Sequence, residues 1–586
     1  MPDAPADAAD KLEVLRHSTA HLLAAAVTEL YPGAQYAIGP AIEDGFYYDF
    51  DLGGQTLSED DLPAIEARMR EIVARKPAYV QEVKPKDEAV DAFQRLGQNY
   101  KVEILTEGEA AEETEVSLYR TGDFLDLCRG PHVPDAGALQ HFKLTRVAGA
   151  YWRGDERNQM LQRVYGTAWD SEADLKDYFK RLELARERDH KKLGKELGLF
   201  FIDDQVGKGL PMWLPKGATV RRLLEEYILD VERRAGYQHV YTPHIASVEL
   251  YKTSGHLQSF KESMFPAFGV EDEEYVLRPM NCPHHIRVYQ HDQHSYRDLP
   301  QRIAELGTVY RYEKSGELSG LLRVRGFTIN DAHIFCTPEQ VQQEFVDATQ
   351  LILDLYQALK ITDFSFRLSL RDDDPKYMGD AAMWEQAEGW IRQALDQVGH
   401  PYVEAVGEAA FYGPKLDVQI RDALGREFSA STTQLDFNLP QRFGLEYVTA
   451  DGTMAQPMMI HRAPIGSMER FMGYLIEHFA GEFPLWIAPL QLVMIPIADK
   501  NLDYANLQAD FFRRRGFRVE VDSRPERMQA KIRDAELHKV PFVGVVGGRD
   551  EEAGTVSLRE RHAGDHGPMD PEGIARLLEA RVQGRD

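Results

Sequence analysis

Two histidines, His17 and His21, stand at an i, i+4 spacing in HSTAH, so on a helix both rings project from one face. Such a pair suits metal binding, but the zincin glutamate is missing, because Ser18, Thr19 and Ala20 fill the interval. LCRGPH places Cys128 and His132 on a Gly-Pro turn, a rigid loop suited to presenting side chains. These four residues fit either a tetrahedral zinc site or a metal-free pocket in which imidazoles orient a water. A third group is dispersed: Cys282 in MNCPHH, His333 in NDAHIF and His461 in MIHRAP. If they converge, three protein ligands leave a fourth position open, the pattern of catalytic rather than structural zinc. Cys336 has no such company and reads as a small core residue. Arg311, Arg323, Arg325 and Arg470 lie in or beside apolar runs. They are either surface ion pairs, which are worth little, or forked ligands for phosphates. No P-loop and no Gly-x-Gly-x-x-Gly run occurs, so any nucleotide must be held by side chains.

Positioning these groups takes several folding units. A chain of 586 residues is long enough for three or more domains with sizeable cores. Its 43% hydrophobic and 28% charged residues are ordinary for a globular protein and argue against extended disorder. No apolar run approaches the roughly 20 residues of a membrane span, and the opening MPDAPADAAD lacks a secretory pattern. Three cysteines give no disulfide framework, and the expectation is a cytoplasmic protein. The net charge of -27 excludes a generic DNA-coating protein but leaves room for a nucleic acid held by local basic patches.

Residues 1–10 read as a disordered lead-in. Helical periodicity over 11–30 sets Leu12, Leu15, Leu22, Leu23 and Ala26 on one apolar face, with the histidine pair away from it. Mixed helix and strand signals run to about residue 170, and 171–199 reads as one long linker helix. A Gly-containing break at 206–209 then precedes a unit ending near 488, whose strands are separated by hairpin-like turns. An antiparallel sheet is expected there. In 489–586, QLVMIPI, FRVEVD and PFVGVVG alternate with helices, the order of a small parallel α/β domain. The whole is an α+β multidomain chain.

RYEKSGELSGLLRVRGFTINDAHIF (residues 311–335) resembles motif 2 of class II aminoacyl-tRNA synthetases, and IHRAPIGSMERF (460–471) resembles motif 3. With MNCPHH, TSGH, FYGPK and QLDFNLP, the chain is similar to the threonyl-tRNA synthetase family of that class. HSTAH, LCRGPH and AGAYWRGD resemble the family's editing domain at 11–170, and 489–586 resembles its anticodon-binding domain.

The resemblance implies a class II antiparallel sheet flanked by helices over 200–488, and a homodimer. It also implies two reactions: L-threonine and ATP give threonyl-adenylate, and threonine then passes to tRNA(Thr). By motif position, Arg311 grips the α-phosphate, while Arg323 and Arg470 hold the γ-phosphate of an ATP accompanied by Mg2+. Glu313 accepts from the adenine amino group, and His256 lies near the terminal ribose of the tRNA. Cys282, His333 and His461 become ligands of one Zn2+ per chain, whose open position binds threonine's amino and hydroxyl groups together. Valine cannot match that, whereas an apolar pocket would separate the two poorly. Asp331 accepts the hydroxyl proton, and Tyr412, Lys415 and Gln434 complete the pocket. Serine lacks only a methyl, about 1–3 kcal/mol of discrimination, so a second site must hydrolyse seryl-tRNA(Thr). His17, His21, Cys128 and His132 match that site, with Lys101 and Asp126 as polar partners, and the resemblance favours hydrolysis without metal. Arg524, Lys531 and Arg559 are expected anticodon contacts. No membrane and no DNA partner is expected. Departures are the lack of a ubiquitin-like module at the front, Ile329 and Ser429 where many relatives carry Gln, and Pro525 in place of a polar residue.

Overall fold

The computed structural model describes residues 6–108, 110–375, 377, 380–422 and 425–585, with 6–10 as backbone alone. It divides into two compact units, Met1–Leu182 and Glu183–Asp586.

The first unit is built on the helix Ala6–Leu30. An antiparallel sheet in the order Gln35–Tyr36, Gly45–Asp51, Met160–Trp169, His141–Tyr151 packs against it, as does the helix Leu62–Arg75. A smaller antiparallel sheet runs Tyr79–Pro85, Glu115–Thr121, Phe124–Leu127. The expected single apolar stripe is too narrow: Ala20 and the run Leu22–Val27 are buried on every side. A helix buried all round needs small residues where two layers close on it, and Ala24, Ala25 and Ala26 supply them. The lead-in is also shorter than expected, since the helix already includes residues 6–10; residues 1–5 lie outside the described residues. The linker is two helices, Glu172–Arg188 and His190–Glu196. Asp189 interrupts them because its carboxylate accepts from the Lys191 and Lys192 N–H groups (2.8 and 3.0 Å) and so starts a new helix.

The second unit holds an eight-stranded sheet in the order Gln238–His239, Gln301–Tyr310, Gly326–Cys336, Met458–Ala463, Glu427–Asp436, Lys415–Arg421, Phe364–Leu370, Tyr402–Val406. Every pairing is antiparallel except the two outermost, which are parallel. Helices Pro215–Arg234, Val341–Ala358, Ala381–Val398 and Met468–His478 bury its apolar side chains in one core. The break at 206–209 is the turn of a hairpin, Phe200–Ile202 with Pro211–Trp213, and not a domain boundary. Register sets one row of directly opposed residues across four central strands: His333, His461, Gln434 and Lys415. Arg462, one position along, points to the opposite face, where it is fully buried on Glu232 at 2.7 Å.

The C-terminal sheet is mixed, not wholly parallel. Val519–Val521, Leu492–Pro496 and Phe542–Val546 are parallel, and an antiparallel hairpin, Val556–Glu560 with Gly564–Met569, extends it. The last strand, GDHGPM, has no β-branched or aromatic residue and hid from pattern reading. Arg518 ties this sheet to the larger core, donating to the carbonyls of Ala488 (2.6 Å), Leu485 and Trp486 (both 3.0 Å).

Candidate active sites and metal centre

Cys282 opens the helix Cys282–Tyr289, while His333 and His461 face each other on adjacent strands. All three are buried, and their ligand-capable atoms lie within 4.8 Å of one another. His333 Nε2 and His461 Nδ1 stand 2.9 Å apart, and the outer nitrogens are held from behind. His461 Nε2 donates to Asp436 Oδ2 at 2.9 Å. His333 Nδ1 lies 2.7 Å from His285 Nδ1, whose ring reaches Glu305 at 3.2 Å. A carboxylate behind an inward-facing imidazole is the support a ligating histidine needs. Burial opposes charge on His461, yet Cys282 and Asp436 beside it raise its pKa to about 10, while burial raises the Cys282 thiol. One sulfur and two imidazole nitrogens are a donor set that fits zinc.

Asp331 shares the face of His333, and its carboxylate accepts from Asn281 Nδ2 at 3.0 Å. Burial raises its pKa. Tyr412, Lys415, Gln434 and Ser429 line a cavity of about 380 Å³ with Gly466 and Asp417. Gln419, from the neighbouring strand, donates to Ser429 Oγ at 2.8 Å, while Ile329 is half-buried in its strand.

Arg311 follows the strand Gln301–Tyr310 and lies over the rings of Phe260 and Phe327 (5.4 and 5.1 Å). Desolvation lowers its pKa, opposed by Glu313 and reinforced by Arg470. Arg470 is lowered in the same way, by desolvation and then by Arg323. Three guanidiniums close enough to penalise one another make a site for a polyanion. Arg323 is bound to Glu313 (2.8 Å) and Glu317 (3.1 Å). Arg325 instead braces the loop, its Nε donating to the Glu313 carbonyl at 2.9 Å. His256 Nδ1 lies 2.7 Å from Ser254 Oγ and its Nε2 3.1 Å from Met280 Sδ. Burial, then His461, Arg311 and Arg442, lower its pKa to about 4.

In the first unit the four expected residues also converge, with ligand-capable atoms within 4.8 Å. Cys128 Sγ lies 3.3 Å from His17 Nε2 and 3.2 Å from His132 Nε2. Ser18 Oγ donates to the Val14 carbonyl, accepts from Val133 N–H, and meets His132 Nδ1 at 3.0 Å. That arrangement calls for a proton on His132 Nδ1 and leaves its Nε2 lone pair facing the pocket. Asp126 is shared between His21 Nε2 (3.3 Å) and Lys101 Nζ (2.5 Å), all three buried. Burial lowers all three histidines, His132 to about 2, and pushes the Cys128 thiol up to about 12. The cluster is thus a neutral one whose sulfur is no thiolate nucleophile. His21 Nδ1 is buried without a hydrogen-bond partner among the described residues, a position one water satisfies.

The expected anticodon contacts are not alike. Arg559 is exposed, and Arg524 is exposed between Asp522 (2.6 Å) and Asp534 (2.8 Å). Lys531 is buried, its ammonium donating to the Asp522 carbonyl at 2.8 Å, so it serves packing and is not placed to touch RNA. Sequence reasoning missed Asp436, His285 and Asn281. All lie in or beside the quoted motifs, but only strand register and the helix start reveal that Asp436 and His285 back the two histidines and that Asn281 holds Asp331.

Three family models match: "tRNA synthetase class II core domain (G, H, P, S and T)" over 268–479, "Anticodon binding domain" over 491–581, and "Threonyl and Alanyl tRNA synthetase second additional domain" over 116–165. The threonine–tRNA ligase of Streptococcus gordonii is 54% identical over 557 residues, covering 94% of this chain and 86% of that one. That of Listeria monocytogenes is 52% identical over 577 residues, covering 98% and 90%. Among solved structures, the RNA binding domain of threonyl-tRNA synthetase from Cryptosporidium parvum superposes with a TM-score of 0.64 at 38% identity, covering 67% of this chain and 98% of that one.

Proposed function

Because the chain belongs to the threonine–tRNA ligase family of class II aminoacyl-tRNA synthetases, we propose that it activates L-threonine with ATP, charges tRNA(Thr) and hydrolyses seryl-tRNA(Thr) at a separate site. The observation that carries this reading is the row His333, His461, Gln434 and Lys415 meeting Cys282 beside three clustered arginines. Synthesis is assigned to 200–488, editing to 11–170 and anticodon binding to 489–586.

Cys282, His333 and His461 would hold one Zn2+, which supplies a Lewis-acidic position for the amino and hydroxyl groups of threonine. Asp331 accepts the hydroxyl's hydrogen bond, and Tyr412, Gln434 and Lys415 close the pocket round the remaining atoms. Arg311 stabilises charge developing on the α-phosphate, while Arg323 and Arg470 hold the γ-phosphate of ATP with its Mg2+. Glu313 turns from Arg323 to the adenine amino group. In the transfer step neutral His256 assists the ribose hydroxyl. In editing, His17, His21, Cys128 and His132 orient a water without metal, positioned by the buried Asp126–Lys101 pair. Arg524 and Arg559 contact the anticodon, and two copies of the chain form the working dimer. No described helix is long and apolar enough to cross a membrane.

Exchange of pyrophosphate into ATP should depend on threonine. Serine should support it roughly 10–200-fold less well, the value of one methyl, and valine scarcely at all. No exchange with threonine after zinc-replete expression would sink the assignment. With the His256 pKa near 4, the imidazole is neutral throughout the useful range. Single-turnover transfer to tRNA should therefore show no acid limb from His256 between about pH 5 and pH 8. An inflection near about pH 6.5 that disappears in His256→Ala would overturn its role as a neutral group.

A further inference from the structure

A cluster outside these sites joins Asp189, His190 and Glu477, with ligand-capable atoms within 4.8 Å. Its donors are already engaged within the protein, which argues against a metal. The Asp189 carboxylate caps the helix His190–Glu196, and His190 Nδ1 lies 2.7 Å from Glu477 Oε1. The other ring nitrogen, Nε2, accepts from the Leu321 N–H at 3.0 Å. A carboxylate only accepts, so the proton sits on Nδ1 and the Nε2 lone pair points at Leu321.

What this ring touches gives the contact its meaning. Leu321 is fully buried at the tip of the loop that ends in Arg323, and Glu477 lies on the helix Met468–His478, which carries Arg470. The loop tip is a tight turn: Leu322 N–H donates to the Ser319 carbonyl (2.8 Å) and Ser319 N–H to the Arg323 carbonyl (3.1 Å). Arg470 Nε donates to the Leu322 carbonyl at 3.0 Å. A Cβ at Gly320 would lie 2.1 Å from His190 Nε2, and one at Gly473 would meet Leu321 and Leu322 at 3.3 and 3.1 Å. Glycines at both places let the ring, the loop and the helix close to contact. His190 thus fixes the backbone immediately before one triphosphate arginine while gripping the helix of the other.

We propose that His190 is a positioning residue for ATP: it holds Arg323 and Arg470 at one spacing by pinning Leu321 N–H to the helix of Glu477. This rests on the assignment of those arginines to the triphosphate. His190→Leu keeps the bulk but removes both bonds, whereas His190→Gln restores an acceptor near the Nε2 position. His190→Leu should raise the KM for ATP in pyrophosphate exchange on the order of ten-fold, the scale expected when the bond that pins Leu321 N–H is lost. The KM for threonine and the zinc content should stay unchanged. His190→Gln should recover most of the loss, and the effects of His190→Leu and Arg323→Ala combined should be less than multiplicative, since His190 acts in part through Arg323.

A merely structural histidine would lower the melting temperature or the active fraction while leaving both KM values alone, or would move both together; either result overturns the proposal. Multiplicative effects in the double variant would overturn it as well. If Arg323→Ala leaves the KM for ATP unchanged, the nucleotide assignment itself fails, and the positioning role falls with it. If Arg323→Ala raises that KM and His190→Leu does not, only the positioning role is lost.

Discussion

Cys282→Ala should emerge from zinc-replete expression without its metal and with threonine activation lowered by about three orders of magnitude or more. The sulfur is the only anionic donor among the three ligands, and two imidazoles alone hold a dication weakly. Asp436 still holds His461 from behind, through Nε2 at 2.9 Å, but cannot replace the lost sulfur. On the proposed mechanism the ion is what engages the amino and hydroxyl groups together, so that engagement goes with it. The residual pocket is left with the discrimination of a shape-selecting cavity, about 10² between threonine and valine. Metal analysis should therefore find one zinc per chain in the parent and none in Cys282→Ala, and pyrophosphate exchange should report the loss of activation. A zinc-free parent protein with full threonine selectivity would refute the account.

The second large effect belongs to the other unit. His17→Ala should slow hydrolysis of seryl-tRNA(Thr) by about 10²–10⁴, the usual contribution of a positioned acid–base group, while leaving threonine activation intact. His17 is half-buried and touches Cys128 at 3.3 Å, away from the buried Asp126–Lys101 pair, so its removal opens space without breaking that pair. Serine should then accumulate on the tRNA in a charging assay. Zinc content separates the mechanisms: one ion per chain retained in His17→Ala fits water orientation by neutral imidazoles. Two ions in the parent, one of them lost in this variant, would replace that mechanism with a metal-assisted one.

Much of this was legible because catalytic motifs put their chemistry in the chain itself. HSTAH and LCRGPH named all four members of one cluster, and an i, i+4 spacing with a Gly-Pro turn is enough to aim them. Cys282, His333 and His461 stood out by residue type, but only the resemblance joined them, since nothing in their distant spacing says that they meet. Their convergence is a property of strand register, which depends on long-range pairing that no local window contains. The same reason hid Asp436 and His285. Lys531 misled because exposure of a basic residue was assumed, while its helix turns the ammonium onto a backbone carbonyl. The hairpin at 556–569 escaped because a strand made of Gly, Asp, His, Pro and Met carries no alternation.

On the proposed assignment of the His333, His461, Gln434 and Lys415 row, threonine selection and sheet integrity are one property. His333, His461, Gln434 and Lys415 face one another only in one pairing of four strands, and a slip of any one strand by a single residue would turn its member of the row to the far side. Local opening or misregistration therefore silences activation instead of loosening it: a damaged catalytic sheet makes no adenylate, rather than the wrong one. The hydrolytic cluster is built in a separately compact unit and does not share that vulnerability. Damage to the synthetic sheet costs the cell output, whereas damage confined to the hydrolytic unit costs it accuracy.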